Sequence, residues 1–445
     1  MPTTRAPLWK KLLSIAPWLA GAVLLLRGAA EYAVLFQIPG WALVWFFPPG
    51  AAGLYFLARR RLVAPPAAFF ASGILLVGLA VAEIIQFIYL PLRSEPPGAA
   101  HPAVEILVNR AALNELGIGP FLEGAFFAPG ESDRDLYLFA GQPRRSYLSP
   151  VVHIAARNLE EKESRWRKGS GQPFVDAAWM PQTGEILALY ERPPALLLLD
   201  PLKLDLRQYV EWRVGGMPQR IAQGAPGARR VAILAAGEGE AGWFDPASRQ
   251  VQPLAPLAPQ ARALGATLPS HTFAPYEVSA PLPDGRRIVT SWQGFGLILY
   301  VDSSWRVLGQ ISRPARRAGV FLNLFRTMGA AADPARNRLW VADSVSGFTG
   351  TLLELPLGSL SPGREYRFPP GIRRLAYDEK RGRLYVADTF GGSLFVFDAS
   401  GPDLILRNEL QLGRWLKVLQ WESDPGGMLL AGSAGGLFRI NPDRL

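Results

Sequence analysis

The feature that most restricts the fold is a short strand that keeps returning. Leu384-Tyr-Val-Ala-Asp388 lies between two glycine-containing turns, preceded by Arg373-Arg-Leu-Ala-Tyr377 and followed by Ser393-Leu-Phe-Val-Phe397. A near copy runs from Met328 through Leu339-Trp-Val-Ala-Asp343 to Thr351-Leu-Leu-Glu-Leu355. Weaker copies of the middle strand begin at Leu136, Ile186, Val231, Ile288 and Met428, so consecutive copies lie 44 to 57 residues apart. Repeats of that length are stacked helical units or four-stranded propeller blades. The stretches of 3.6 periodicity that helices need are absent between these strands. The reading is an all-β chain, a propeller of seven four-stranded blades over residues 121–445, with six or eight blades left open because the first and fourth copies are ragged.

The last copy ends at Gly436-Leu-Phe-Arg-Ile-Asn441 and lacks an outer strand, whereas Val104-Glu-Ile-Leu-Val108 is a strand with no blade of its own. Pairing the two closes the ring and covers exposed sheet edges. Residues 93–103 are rich in proline and small residues and read as a linker, making 93–120 a connecting segment with the ring-closing strand inside it.

The Leu384–Thr389 and Leu339–Ser344 segments, each with an upstream Asp near the preceding turn, resemble the NHL-type propeller repeat and its strictosidine-synthase-like and YVTN-type relatives. Where NHL repeats continue with an Asn pair, this chain has Gly391-Gly392 and Gly347-Phe348. The resemblance implies a turn-supporting role for Asp343 and Asp388. The family includes binding modules, sensor domains, lyases and hydrolases, so it implies a fold and leaves the function open.

From Leu12 to Leu92 the chain is almost continuously apolar. Three transmembrane helices fit within residues 12–92: the first from Leu12 to Leu26 or to Phe36, the second ending at Ala58, the third from about Pro66 to Leu92. Arg5, Lys10, Lys11 and Arg59 to Arg61 fall on one side and Arg27 and Arg93 near the other. This places the tail 1–11 in the cytoplasm and everything after Leu92 on the periplasmic or extracytoplasmic face of the inner, or plasma, membrane. A competing reading makes Leu12 to Leu26 the core of a signal peptide cleaved after Ala30. Glu83 and Gln86 share one face of the third span, and a carboxylate in lipid needs a partner, for which depth favours Arg27. A structural ion pair or protonated acid is the expectation there, ahead of an ion relay.

The net charge is +10, and eight basic against three acidic residues sit in the first hundred, leaving the outer part only mildly basic. That location argues against nucleic acid as a partner. Absence of cysteine excludes thiolate catalysis, Cys-ligated zinc and disulfides. His101, His153 and His271 are far apart and seed no zinc site. Neither a metal nor a cofactor is expected, although oxygen-ligated calcium near Asp176, Glu277, Asp343 and Asp388 stays open. Gly237-Glu-Gly-Glu-Ala-Gly242 matches a dinucleotide-loop pattern but leads into Trp243-Phe-Asp, another strand, so it reads as a turn. Ala431-Gly-Ser433-Ala-Gly435 likewise joins two strands. Glu160 to Lys168, a mixed-charge run with one Trp, reads as a solvated loop.

Counting eleven residues back from each second strand reaches Val175, Arg220, Glu277, Met328, Arg373 and Lys417 in blades two to seven, with Arg374 alongside. These are expected at the central channel, where three basic positions in six suggest a moderately positive mouth for an anionic ligand or partner. The competing expectation is that the charges pair with Asp176, Glu277 and their neighbours. Loops on the same face carry Arg145 and Trp292, residue types typical of binding hot spots. The chain therefore reads as a membrane-anchored binding, sensing or scaffolding module in contact with the lipid bilayer and with a protein partner or anionic ligand. The alternatives are a strictosidine-synthase-like or lactonase-like enzyme with its site in the channel, and an accessory subunit of a membrane complex.

Overall fold

The computed structural model describes residues 101–445 except 119–121, 142–152, 162–163, 170–173, 223–228, 269, 272, 292–296, 313–324, 346–348, 358–362, 369–370, 390 and 423–425. The expected membrane spans, with Arg27, Glu83 and Gln86, lie outside the described residues, as do Arg145 and Trp292. Among the described residues no helix is long and apolar enough to cross a membrane.

Among the described residues, seven antiparallel four-stranded sheets account for almost all of the secondary structure. Blade one is Leu122–Ala128, Asp135–Ala140, Ile154–Asn158 and Arg167–Gly169, and blade two is Asp176–Met180, Glu185–Glu191, Pro194–Leu199 and Leu206–Glu211. Blade three is Met217–Ala222, Val231–Ala236, Ala241–Asp245 and Gln250–Leu254; blade four is Pro275–Val278, Arg287–Ser291, Leu297–Val301 and Val307–Ser312. Blade five is Phe325–Asp333, Arg338–Val345, Thr349–Pro356 and Arg364–Phe368, and blade six is Ile372–Asp378, Arg383–Asp388, Ser393–Asp398 and Ile405–Gln411. Blade seven takes Val418–Trp421, Leu429–Ser433 and Gly436–Ile440 from the end of the chain and its outer strand, Val104–Asn109, from the start. The first strand of each blade neighbours that of the next, and Val418–Trp421 neighbours Leu122–Ala128, so the ring is closed.

The burial pattern explains why the second strands dominate the sequence signal. Asp135–Ala140, Val231–Ala236 and Arg287–Ser291 are buried at every position. Both faces of such a strand are covered by neighbouring blades, and a strand covered on both faces reads as a continuous apolar run. Outer strands such as Leu206–Glu211 face water and are mostly exposed. Among the described residues there is one apolar cluster at each of the seven seams between blades, for example Leu339, Val341 and Leu353 of blade five against Ile288 and Ile298 of blade four. Each fully buried Leu or Ile contributes about 1.5–3 kcal/mol. The fold is held by these seams.

A second device ties the seams at the rim. The turn after the third strand leans onto the preceding blade: Leu204 of blade two and Trp305 of blade four, both with left-handed φ near 60°, enter the clusters of the blades before them. Arg249, also left-handed, pairs with Glu185 of blade two. In blades six and seven the traffic reverses. Arg338 donates to the carbonyls of Ala399 and Gly401, and Arg383 to that of Pro442. An acid or amide at the end of the third strand fixes several of these turns, as where Asp200 accepts from the N–H groups of Leu202 and Lys203, and Asn441 from that of Asp443.

The glycine turn at 237–240 joins two strands of blade three, and Glu238 there pairs with Arg262 of a short helix, Leu257–Ala263, inserted between blades three and four. Ser433 ends the second strand of blade seven, just before the Ala434-Gly435 turn, and donates to the Leu412 carbonyl at 2.5 Å. Asp343 and Asp388 are buried on second strands.

Candidate functional site

The inner strands enter the channel through a repeated irregularity. In blades one, three, four, five and six the pairing of the first strand with the second slips at Glu123, Gln219, Tyr276, Met328-Gly329 and Arg373 respectively. In blades two and seven, the N–H groups of Val175 and Lys417 donate to Leu189 and Gly432, the same residues that pair with Asp176 and Val418. A bulge places two adjacent residues opposite one and re-aims their side chains. A ring of bulges therefore turns polar side chains from all around the propeller towards its axis at one end.

Arg220, Glu277, Arg374 and Lys417 are brought together there, with Glu123 and Asp176. Lys417 Nζ lies 2.9 Å from Glu123 Oε2, an ion pair between blades seven and one. Arg374 Nη1 lies 3.5 Å from Glu277 Oε2, linking blades six and four across blade five. Blade five permits the crossing because it presents Gly329: a Cβ there would sit 2.5 Å from the Arg373 carbonyl and 2.9 Å from Glu277 Oε2. Arg374 Nε donates to the Lys417 carbonyl at 3.1 Å, and its guanidinium lies 4.8 Å from the Tyr276 ring centroid. Arg220 donates to the carbonyls of Tyr276 and Val175, and Asp176 accepts from Ile221 N at 2.9 Å. Arg373 occupies the bulge beside Arg374 and is half-buried. Met328 is buried and accepts at its carbonyl from the Thr290 hydroxyl.

The charges are thus largely matched by neighbours, as the competing expectation held, and each cation has an acidic or carbonyl partner. The carboxylates differ in how well they are held. Burial works to raise the Glu123 carboxyl, but the Lys417 ammonium outweighs it, so this acid is held below its ordinary value. Burial raises Asp176 against the pull of Arg220 and of the Ile221 N–H. Burial raises Glu277 most, to about 7 from 4.5, even with Arg374 and Arg220 favouring its charged form. Its Oε2 is buried without a hydrogen-bond donor, and 3.5 Å to Arg374 is an ion pair rather than a hydrogen bond. For Arg374, burial is outweighed by Tyr276, Glu277, Glu123 and Asp176, and its charge is reinforced.

Glu123 and Tyr276 were not reached from the sequence. The Glu123 strand is joined to the next by Pro129–Arg134, a longer turn than the Glu379–Gly382 connection in blade six, so counting eleven residues back lands on Ala125. Aligning on the start of the first strand, Leu122 against Ile372, recovers it. The three histidines stay apart: His101 accepts at Nδ1 from Ala103 N, His153 is buried against Phe174, and His271 is exposed beside Glu238. No group of three metal-ligating side chains converges among the described residues.

No family model matches the sequence. No curated protein matches it either. Solved structures do match by shape. Hydrazine synthase of Kuenenia stuttgartiensis is similar over 72% of this chain and 96% of its own, at 11% identity and a TM-score of 0.52. YCF48 from Cyanidioschyzon merolae is similar over 77% and 99%, at 14% identity and a TM-score of 0.52. A chain of the Mitotic Checkpoint Complex is similar over 78% and 90%, at 8% identity and a TM-score of 0.50. At these identities the likeness shows the architecture, and the conclusion is that this chain carries a seven-bladed β-propeller with four-stranded blades.

Proposed function

We propose that this protein is a membrane-anchored, extracytoplasmic propeller of NHL-like type that binds a protein partner or an anionic ligand at the face where the channel opens. The observation that carries the reading is the ring of bulges, which aims Glu123, Asp176, Arg220, Glu277, Arg374 and Lys417 towards one end of the axis. A propeller gains nothing in seam packing from such residues; bringing charges from six blades to one mouth suits recognition. The apolar run 12–92 supports the anchor, and its flanking arginines and lysines support the outward placement. A similar propeller within the Mitotic Checkpoint Complex supports a protein partner.

Two experiments test it. A reporter fused after Leu92 should behave as exported and one after Arg61 as cytoplasmic; the reverse pattern overturns the location. Site-specific crosslinking from the channel face of the full chain should give a discrete adduct that Trp292→Ala with Arg145→Glu reduces at least tenfold, whereas crosslinkers on the outer strand Leu206–Glu211 should give none.

A second reading, a lactonase-like propeller enzyme, draws support from Glu277, since an acid titrating near 7 in a channel has the character of a general acid or base. Lactone hydrolysis by the purified full chain, lost in Glu277→Gln, would establish it in place of the binding reading.

A further inference from the structure

We propose that the channel mouth takes up a small oxyanion together with one proton, the anion held by Arg220, Arg374 and Lys417 and the proton by Glu277. The inference rests on the reading of this mouth as an anion site and adds what the site demands in exchange.

Charge balance drives the argument. Among the described residues at the mouth, three cations, Arg220, Arg374 and Lys417, meet three carboxylates, Glu123, Asp176 and Glu277, while Arg373 lies half-buried in the bulge beside Arg374. When all are ionised these paired sets offset each other, and an incoming anion meets little attraction from them. Glu277 is the carboxylate held least well, because Arg374 approaches it no closer than 3.5 Å and its Oε2 has no donor among the described residues. A proton on Glu277 removes the charge that answers Arg374. Glu123 and Asp176 still act on Arg374, but the nearest carboxylate no longer does, and an anion from solution replaces the lost charge. Arg374 and Glu277 keep 17% and 19% of their side-chain surface open, so water and small ions reach them.

Among the described residues around Glu277, blade two presents Asp176 and blade three Arg220; blade four adds Tyr276; blade five offers the backbone of Gly329 and Ala330. Blade six presents Arg374, while Glu123 of blade one and Lys417 of blade seven bind each other. Burial sets the Glu277 carboxyl near 7, so the exchange falls in the neutral range. The step makes and breaks no covalent bond in the anion. One proton passes from solvent to the carboxylate for each anion bound.

The probe is inorganic sulfate, whose charge does not change near neutrality, titrated calorimetrically into the purified full chain in detergent at constant ionic strength. If only the protonated form binds, the sulfate Kd should weaken about 30-fold between pH 6.0 and pH 8.5. Repeating the titration in two buffers of different ionisation enthalpy should show about one proton taken up per sulfate at pH 8.5 and few at pH 6.0. Glu277→Gln should bind at every pH as the parent does at pH 6.0, with less than threefold variation. Arg220→Gln and Arg374→Gln, each shown to unfold cooperatively, should lose at least tenfold in affinity at pH 6.0. Binding that is equally tight at both pH values but lost in the arginine variants overturns the proton coupling and leaves the anion site standing. No binding at pH 6.0, or binding indifferent to all three substitutions, overturns the anion site and this inference with it.

Discussion

Between blades five and six, Trp340 is fully buried with its ring 5.1 Å from that of Tyr377, whose hydroxyl donates to Asp333 at 2.7 Å, while Phe368 meets Phe395 and Phe397 edge to face. Between blades seven and one, Arg134 of blade one reaches Glu422 of blade seven, which Arg439 of its own blade holds at 2.6 Å; both guanidiniums also lie over the Phe127 ring, Lys417 meets Glu123, and Gln420 donates to the Ala125 carbonyl. Both seams have an apolar cluster. The first is also crossed by directional contacts, from Arg338 to the carbonyls of Ala399 and Gly401 and from Arg364 to Asp403 at the exposed rim; the second differs in placing its ion pairs inward, at the buried Glu422 and at Glu123. Blades five and six follow each other in the chain, so connectivity already chooses the neighbour. Blades seven and one are brought together from opposite ends of the propeller sequence. Apolar surfaces attract without specifying register, whereas a carboxylate held between two guanidiniums accepts one alignment.

The comparison can be broken, beginning with the largest expected effect. Trp340→Ala should cost about 3–5 kcal/mol in chemical unfolding, with little dependence on salt; a loss under 1 kcal/mol would mean that the aromatic seam is not the stronger one. Next is Glu277, whose carboxyl joins non-adjacent blades. It keeps a proton in the folded chain that the unfolded chain releases between about pH 4.5 and 7, so its contribution to stability falls as pH rises through that window. Glu277→Gln does not titrate. It should be more stable than the parent by up to roughly 3 kcal/mol at pH 8 and no more stable near pH 4.5, as read from paired denaturant curves.

Glu422→Gln keeps the shape and removes the charge that two arginines share. The expected loss is about 2 kcal/mol at low salt, shrinking as NaCl is raised because the parent loses that attraction to screening. Equal losses at all salt concentrations would show that packing, rather than charge, holds the closing seam. Tyr377→Phe should cost about 1 kcal/mol, the net worth of its hydrogen bond, since Arg336 still serves Asp333. Arg364→Ala, which breaks an exposed pair with Asp403, should shift stability by less than about 0.5 kcal/mol and serves as the surface reference.

The second strands were legible because enclosure on both faces leaves an apolar run at their centres: Leu136, Ile186, Val231, Ile288, Leu339 and Leu384 all fall within the second strands of their blades, and Met428 immediately precedes Leu429–Ser433. Blade count followed from them. The channel residues were legible only as far as strand spacing stayed constant, which is why Arg220, Glu277, Arg374 and Lys417 were reached and Glu123, behind a longer turn, was not. The rim turns were not legible as a set. A left-handed residue there can be Leu204, Arg249 or Trp305, because what matters is where the side chain lands on the preceding blade, and three chemistries serve that purpose. The pairing of Arg374 with Glu277 was hidden for another reason. It depends on a missing side chain, Gly329, in a blade that contributes nothing else to the contact.

The outer strand of blade seven has a practical implication. Because Val104–Asn109 comes from ahead of blade one, a fragment begun at Ala111 would leave the Gly436–Ile440 edge unpaired, open to that segment supplied as a separate peptide or to the same bare edge of another fragment. Such a fragment should be monomeric by size-exclusion chromatography only when a synthetic peptide spanning residues 101–110 is added. Without the peptide it should self-associate, and truncation ahead of Pro102 should leave the solution behaviour of the wheel unaltered.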